Sequence, residues 1–431
     1  MNILIQNFER GKRAMSRKFL SIFVLTVFVL ATILAGCSSS KTPESQTPTQ
    51  ETSKPVTIKL GMWSSSPAEK KIVDDQIAKF KEKYPNIDVQ IETIVGDYMQ
   101  KLQTELASNT APDIFYLDSM PAPQLMSSGV LEPLDEYIKK YNVDVNDFEP
   151  ALLSAFQWEG KTYGLPKDYN TLVLFYNKDM FKEAGINEPP KTWEELRETA
   201  KKLTKNGVKG IVLSADLARF DAFINQNDGS VYKDGKVTLN LPQNAEALDF
   251  YVGLIIRDKV ADTPQNMGEG WNGDAFAAKK AAMAIEGGWM IPFLKEKAPD
   301  LNYGIAELPA GKKKSIMAFT VAYVMNKNSK HKDEAFKLIE FLTGKEGQQF
   351  VVDSGLALPS RKSMEANFKE KYPERAPFID GASYAVPWQF GLYGTKLVDA
   401  ANKACEALIM KQIGSAQEAL DNAQKEVMQS K

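Results

Sequence analysis

Histidine and cysteine are nearly missing from this 431-residue chain, which has one histidine, His331, and two cysteines, Cys37 and Cys405. A Ser-His-Asp triad or a histidine-rich metal site would have to be assembled around His331, in a polar loop before a helical stretch, and neither fits. Two cysteines allow one disulfide at most, but these two have different surroundings. Cys405 lies in KACEALIM, an apolar helical stretch, and reads as a buried free thiol. An excess of positive charge is also missing. The chain has 53 basic and 55 acidic residues; residues 1–36 hold five of the former and one of the latter, leaving 48 against 54, a net −6. A mildly acidic body lacks the basic face that a nucleic acid would require. No Gly-rich phosphate loop accompanies the lysine runs Lys279-Lys280 and Lys312-Lys313-Lys314, so these read as solvated surface. No internal repeat is visible. What is present is length enough for two hydrophobic cores.

Residues 1–36 have the build of a targeting segment. Arg10, Lys12, Arg13, Arg17 and Lys18 form a basic start, and Met1 and Met15 are both candidate starts. Phe19 to Gly36 is an uncharged run of 18 residues, which is also the lower limit for a membrane-spanning helix. It ends in Leu34-Ala35-Gly36-Cys37, which resembles the lipobox of bacterial lipoproteins, with small residues and a cysteine where cleavage would fall. Cys37 is then the expected lipidated N-terminus of the mature chain. Residues 37–55, rich in Ser, Thr, Pro and Gln, have no apolar periodicity and read as a solvated tether.

From Val56 the pattern changes to strands alternating with helices. VTIKLGM is a strand, Ser66-Pro67 a helix start, and Val73, Ile77, Phe80 and Tyr84 a helical apolar stripe stopped by Pro85. IDVQIETIV and DIFYL are further strands, the second ending at Asp118. Such alternation predicts an α/β fold with a parallel sheet, whose ligands bind beyond the carboxyl ends of strands. Gln157 to Asp179 reads as a crossing from one sheet to another. Gly164 and Pro166 bracket an extended Leu165; Asp168, Tyr169 and Asn170 follow as an exposed triplet; TLVLFY is a buried strand. Farther on, Thr192-Trp193-Glu194-Glu195 is a capping box, AAMAIE a short strand closed by Gly287-Gly288-Trp289, and MAFTVAYVMN a strand ahead of the helix DEAFKLIEFL.

Three phrases, EGKTYGLPKDYNTLVLFYNKDMFKEAGI, PPKTWEEL and AAMAIEGGW, resemble in this order the extracellular solute-binding proteins of bacterial ABC transporters, the class that binds maltodextrins and other oligosaccharides. The resemblance runs from about Val56 to the C-terminus. It implies a two-domain periplasmic-binding-protein-like α/β fold with three interdomain crossings around a ligand cleft. The domains it implies are 56–166 with 311–355, and 167–310 with 361–431; crossings fall near Leu165–Lys167, Leu308–Ser315 and Leu356–Ser360. It implies a non-enzymatic binding protein, lipid-anchored on the outer face of the cell membrane, that closes on a sugar and delivers it to membrane permease subunits. No cofactor or metal is needed.

A sugar presents weakly polar C–H faces and a rim of hydroxyls, so its site needs flat rings beside short polar side chains. Trp63, Tyr169, Trp289 and Trp388 fit that pattern, and the resemblance places ligand-contacting aromatics at the matching spots. Ser64 beside Trp63, and Asp118, Asp168 and Asn170, are the hydroxyl-binding candidates. Each has a plain alternative: a tryptophan can be core, as expected for Trp158 and Trp193, and Asp118 can cap the next helix. Gly287-Gly288 favours a site role for Trp289, because glycines let backbone approach closely. Two other functions stay open: the same class with a peptide, polyamine or sugar phosphate, and a glycoside hydrolase using Asp118 and Asp168.

Overall fold

Strand order is what places the site. The computed structural model describes residues 55–64 and 66–429. The leader, the tether up to residue 54, and Cys37 with its lipobox lie outside the described residues. In chain order the main strands are β1 (Val56–Met62), β2 (Ile87–Thr93), β3 (Ile114–Asp118), β4 (Gly164–Thr171), β5 (Val173–Asn177) and β6 (Ile211–Val212). They continue with β7 (Ala261–Asp262), β8 (Met283–Glu286), β9 (Tyr303–Ala306), β10 (Ile316–Met325), β11 (Leu358–Pro359) and β12 (Ala385–Pro387).

Among the described residues, the first sheet runs β11-β4-β10-β3-β1-β2, with β12 beside the start of β10. β1 pairs in parallel with β2 and β3, as strand–helix alternation predicts, whereas β10 runs antiparallel to both β3 and β4. The second sheet runs β7-β6-β8-β5-β9. Helix Pro67–Lys83 starts where Ser66-Pro67 predicts: the Ser66 hydroxyl accepts from the Glu69 amide at 3.2 Å. Val73 and Phe80 are buried against the first sheet. Thr192 likewise accepts from the Glu195 amide, and Glu195 Oε2 accepts in return from the Lys191 amide.

The expected exposed triplet at Asp168–Asn170 is instead part of β4, and the change of sheet comes at Leu172, between Thr171 and Val173. Pro166 misled the reading, since proline ordinarily interrupts a strand. Here it is tolerated beside a bulge. Val321 and Ala322 of β10 pair with Asp168 and Pro166, so Lys167 is the extra residue. The chain returns to the first sheet between Ala306 and Ile316. The last helices, Gly394–Ile409 and Ala416–Gln429, pack into the core over the second sheet with Leu397, Leu408 and Leu420. Cys405 is buried there as a free thiol, and burial pushes its pKa up. Among the described residues, no helix is long and apolar enough to cross a membrane.

Candidate ligand-binding site

Strand pairing aligns one row of side chains across the first sheet. Directly opposite residues of antiparallel strands share a face. Asp168, Val321 and Asp118 are therefore neighbours on one face, as are Asn170 and Phe319, and Tyr323 and Tyr116. Over this face lies a cavity of about 420 Å³, lined from the first sheet and its helices by Trp63, Glu69, Lys167, Asp168, Asn170 and Tyr323, among others. Trp289 and Pro292, which follow β8 of the second sheet, supply its other side.

The bulge turns Lys167 into this cavity. Its ammonium pairs with the Asp168 carboxylate, lies 3.7 Å from Glu69 Oε1, and sits 5.0 Å from the centre of the Tyr116 ring. Burial opposes the charge on Lys167, but the neighbouring Asp168 carboxylate and the other groups around it outweigh burial and hold its pKa above the ordinary lysine value. Trp63 stands edge-on to Tyr98 and Tyr116, with ring centres at 4.8 and 5.1 Å. Each such pair contributes about 0.5–1.5 kcal/mol beyond burial, so the Trp63 ring is well fixed.

Trp289 is 36% exposed, a large apolar ring facing open space. Its indole Nε1 donates to Glu286 Oε2 at 2.9 Å. The two preceding glycines are demanded by contact. A Cβ on Gly287 would lie 2.3 Å from Trp289 Cζ3, and one on Gly288 would lie 2.7 Å from Asn170 Oδ1. Gly288 thus lets Asn170 of the first sheet and Trp289 of the second share one cavity. Behind Trp289 the rings continue to Phe319 at 5.9 Å and from there to Trp388 at 5.6 Å.

A second cavity of about 790 Å³ opens beyond the carboxyl ends of β6, β7 and β8. Its lining includes Asp216, Arg219, Trp271, Asn272 and Glu286. Arg219 Nη2 donates to Glu286 Oε2 and Nη1 to Asp216 Oδ2, both at 2.7 Å. Asn272 Nδ2 donates to Glu286 Oε1 at 3.0 Å. Two buried atoms at this cavity have no partner among the described residues: Arg219 Nε, a donor, and Asn272 Oδ1, an acceptor.

Of the residues singled out from the sequence, Trp63, Asp168, Asn170 and Trp289 line the first cavity together. Four do not line it. Tyr169 sits in β4 with its side chain turned to the opposite face, 1% exposed, because alternation along the strand sends it away from Asp168 and Asn170. Ser64 donates its hydroxyl to the Ser66 carbonyl at 2.9 Å. Asp118 accepts from the Met120 amide at 2.9 Å, and burial pushes its carboxyl up to about 6. Trp388 is 8% exposed and packs between Phe319 and Phe390. The sequence reading missed Lys167, hidden in the bulge, and the Asp216, Arg219, Asn272 and Glu286 cluster. Asp216 is the N-cap of helix Leu217–Gln226, with Arg219 three residues on, and Glu286 immediately precedes the glycine pair, signals that could have marked them.

Residues 63–349 match the family described as bacterial extracellular solute-binding protein. The chain belongs to this family. The arabinooligosaccharide-binding protein of Bacillus subtilis is 28% identical over 67% of this chain and 70% of its own. The sn-glycerol-3-phosphate-binding periplasmic protein of Shigella dysenteriae is 27% identical over 57% of this chain and 60% of its own. Among solved structures, an ABC substrate-binding protein from Listeria monocytogenes in complex with cycloalternan superposes with a TM-score of 0.76. It is 27% identical, and the match covers 87% of this chain and 98% of that one. The fold is accordingly that of the two-domain α/β binding proteins.

Proposed function

We propose that this solute-binding protein is the sugar-capturing component of a bacterial ABC importer. Its ligand is a neutral oligosaccharide lying across both cavities, with one face on the Trp289 ring. Trp63, Asp168 and Asn170 bound the ligand on the first-sheet side; Arg219 and Asn272 meet its hydroxyls on the other. The observation that carries this reading is the 36%-exposed Trp289 ring, fixed at its edge and presented to a cavity shared by both sheets. A flat ring beside hydrogen-bonding groups suits a sugar's C–H face and hydroxyl rim.

Charge and hydrogen-bond chemistry narrow the ligand. Lys167 faces two carboxylates, Asp168 and Glu69, and Arg219 faces two, Asp216 and Glu286. Each cluster carries a formal excess of one negative charge, which counts against a phosphate. Arg219 Nε needs an acceptor and Asn272 Oδ1 a donor. A hydroxyl supplies both, whereas an ammonium supplies only donors. Hydrolysis is not favoured either. Asp118 and Asp168 lie on either side of Val321, two strand spacings or roughly 9–10 Å apart at the backbone. A retaining hydrolase needs its two carboxyls about 5–5.5 Å apart and an inverting one about 6.5–9.5 Å across a shared cleft, and Asp118 does not line the cavity that Asp168 lines. Asp168, moreover, is ion-paired with Lys167.

The lobes proposed are one built on each sheet, with hinges at Leu172, at the Ala306–Ile316 return and after Pro387, where the chain leaves β12 of the first sheet for the last two helices, and they close on the sugar. Anchoring at Cys37 through a lipid completes the reading. A thermal-shift screen with malto-, xylo-, manno- and arabino-oligosaccharides, polyamines and glycerol phosphates tests the ligand class. A neutral oligosaccharide should raise the melting temperature; a response confined to amines or phosphates overturns it. For the anchor, Cys37→Ala in a lipoprotein-processing host should fail to acquire lipid, and a mature wild-type N-terminus upstream of Cys37 would refute it.

A further inference from the structure

The Trp289 ring does not stand alone; a buried carboxylate organises it. Glu286 is the last residue of β8 and is fully buried, 0% exposed. It accepts three hydrogen bonds: from Trp289 Nε1 and Arg219 Nη2 on Oε2, and from Asn272 Nδ2 on Oε1. The Arg219 guanidinium carbon lies 5.9 Å from the centre of the Trp289 ring, within reach of a cation–π contact. Trp289 is thus held at its edge by Glu286 and approached by the guanidinium that the same carboxylate fixes. Burying a carboxylate is unfavourable unless it is paired and hydrogen-bonded. A larger apolar residue at 286 would avoid that cost but leave the indole N–H and the guanidinium unpaired.

Resting on the sugar-binding reading above, we infer that Glu286, with Arg219, is a positioning residue that sets the Trp289 ring in its ligand-ready orientation before the sugar arrives. Two consequences follow. The indole N–H is already engaged inside the protein, so Trp289 offers the sugar its face and not a hydrogen bond, which selects for an apolar sugar face over a particular hydroxyl pattern. A ring already immobilised loses little side-chain freedom on binding, and that saving appears as affinity. Glu286 acts through Trp289 and Arg219, without stacking on the sugar itself.

The test uses the mature protein labelled with 5-fluorotryptophan, with the Trp289 resonance assigned by its loss in Trp289→Phe, and maltotriose, mannotriose and arabinotriose as probes in calorimetry. In Glu286→Ala the Trp289 fluorine resonance should shift or broaden without sugar, and affinity for the binding probe should fall roughly three- to tenfold, the effect of one side chain left to be ordered on binding. Glu286→Gln, which keeps an acceptor oxygen for the indole, should recover part of both and serves alone if Glu286→Ala does not fold. In a Trp289→Ala background Glu286→Ala should cost less affinity than it does in the wild type, because the part of its effect that passes through the ring is already gone and only the part through Arg219 and Asn272 remains. A Trp289 resonance unmoved in folded Glu286→Ala and Glu286→Gln overturns the inference, as does an additive loss in the double variant. Unchanged affinity in Trp289→Ala sinks the sugar-stacking reading instead, and the ligand-free fluorine spectra still decide the role of Glu286.

Discussion

The place of Trp289 at the edge of a cavity was legible from sequence because two glycines before a tryptophan at a strand end imply close approach, and side chains do crowd Gly287 and Gly288. That Arg219 and Glu286 converge to support it was not legible, since the two are 67 positions apart and only the pairing of β6 with β8 brings their elements together. Tyr169 shows the opposite error: the residue type suited a site, but its parity within β4 put it in the core. Another buried acid makes a prediction of its own. Asp221 is 1% exposed, its Oδ1 has no partner among the described residues, and burial pushes its carboxyl up to about 7 from an ordinary 3.8. An acid with a raised folded pKa keeps a proton that the unfolded chain releases. Between about pH 4 and pH 7 the unfolded state binds fewer protons, so this contribution to stability falls as pH rises. Asp221→Asn should therefore match wild type near pH 4 and be more stable above about pH 7, by on the order of 2–4 kcal/mol. Melting curves of both proteins across that range check it; a difference that does not change with pH counts against it.

Helix starts were the most readable elements, because Ser66 and Thr192 each announce a cap that the structure contains. Two-residue strands such as β6 and β7 carry too little pattern to be bounded from sequence. Helix Lys345–Ser354 went unread because Gly344 and Gly347 weaken its local signal. Yet Gly347 belongs there, since a Cβ would lie 2.3 Å from the Phe341 carbonyl oxygen. That helix carries Gln348, fully buried, whose Nε2 donates to the Lys167 carbonyl and whose Oε1 accepts from the Ser360 amide, each at 2.8 Å. It ties the bulged strand to the segment after β11. Gln348→Leu should destabilise the protein by about 1–3 kcal/mol, the cost of leaving buried backbone groups unpaired. Urea unfolding gives the value, and a change below about 0.5 kcal/mol would mean that these backbone groups find other partners.

For the molecule as a whole, strand–helix alternation was enough to give the α/β class, whereas the point at which the chain changes sheets needed the observed pairing of β4 with β10. Two sheets linked at Leu172 and between Ala306 and Ile316 share a cavity, and the closure proposed for them is of the hinge type. Small-angle scattering with a saturating oligosaccharide should give a smaller radius of gyration than the sugar-free protein, and an identical profile would argue against closure. The central claim, that a neutral sugar stacks on Trp289, is tested most directly by calorimetric titration of wild type and Trp289→Ala with the oligosaccharide found by the thermal screen, with the sugar-free melting temperature taken on the same samples. Truncating an anchor of this kind typically costs about 2 kcal/mol or more, at least roughly a tenfold loss of affinity. The account predicts that loss with a near-normal melt, because the ring is more than a third exposed, and predicts that Trp289→Phe keeps much of the binding. A melt lowered as for a core deletion of about 3–5 kcal/mol, with affinity intact in the folded protein, would contradict it.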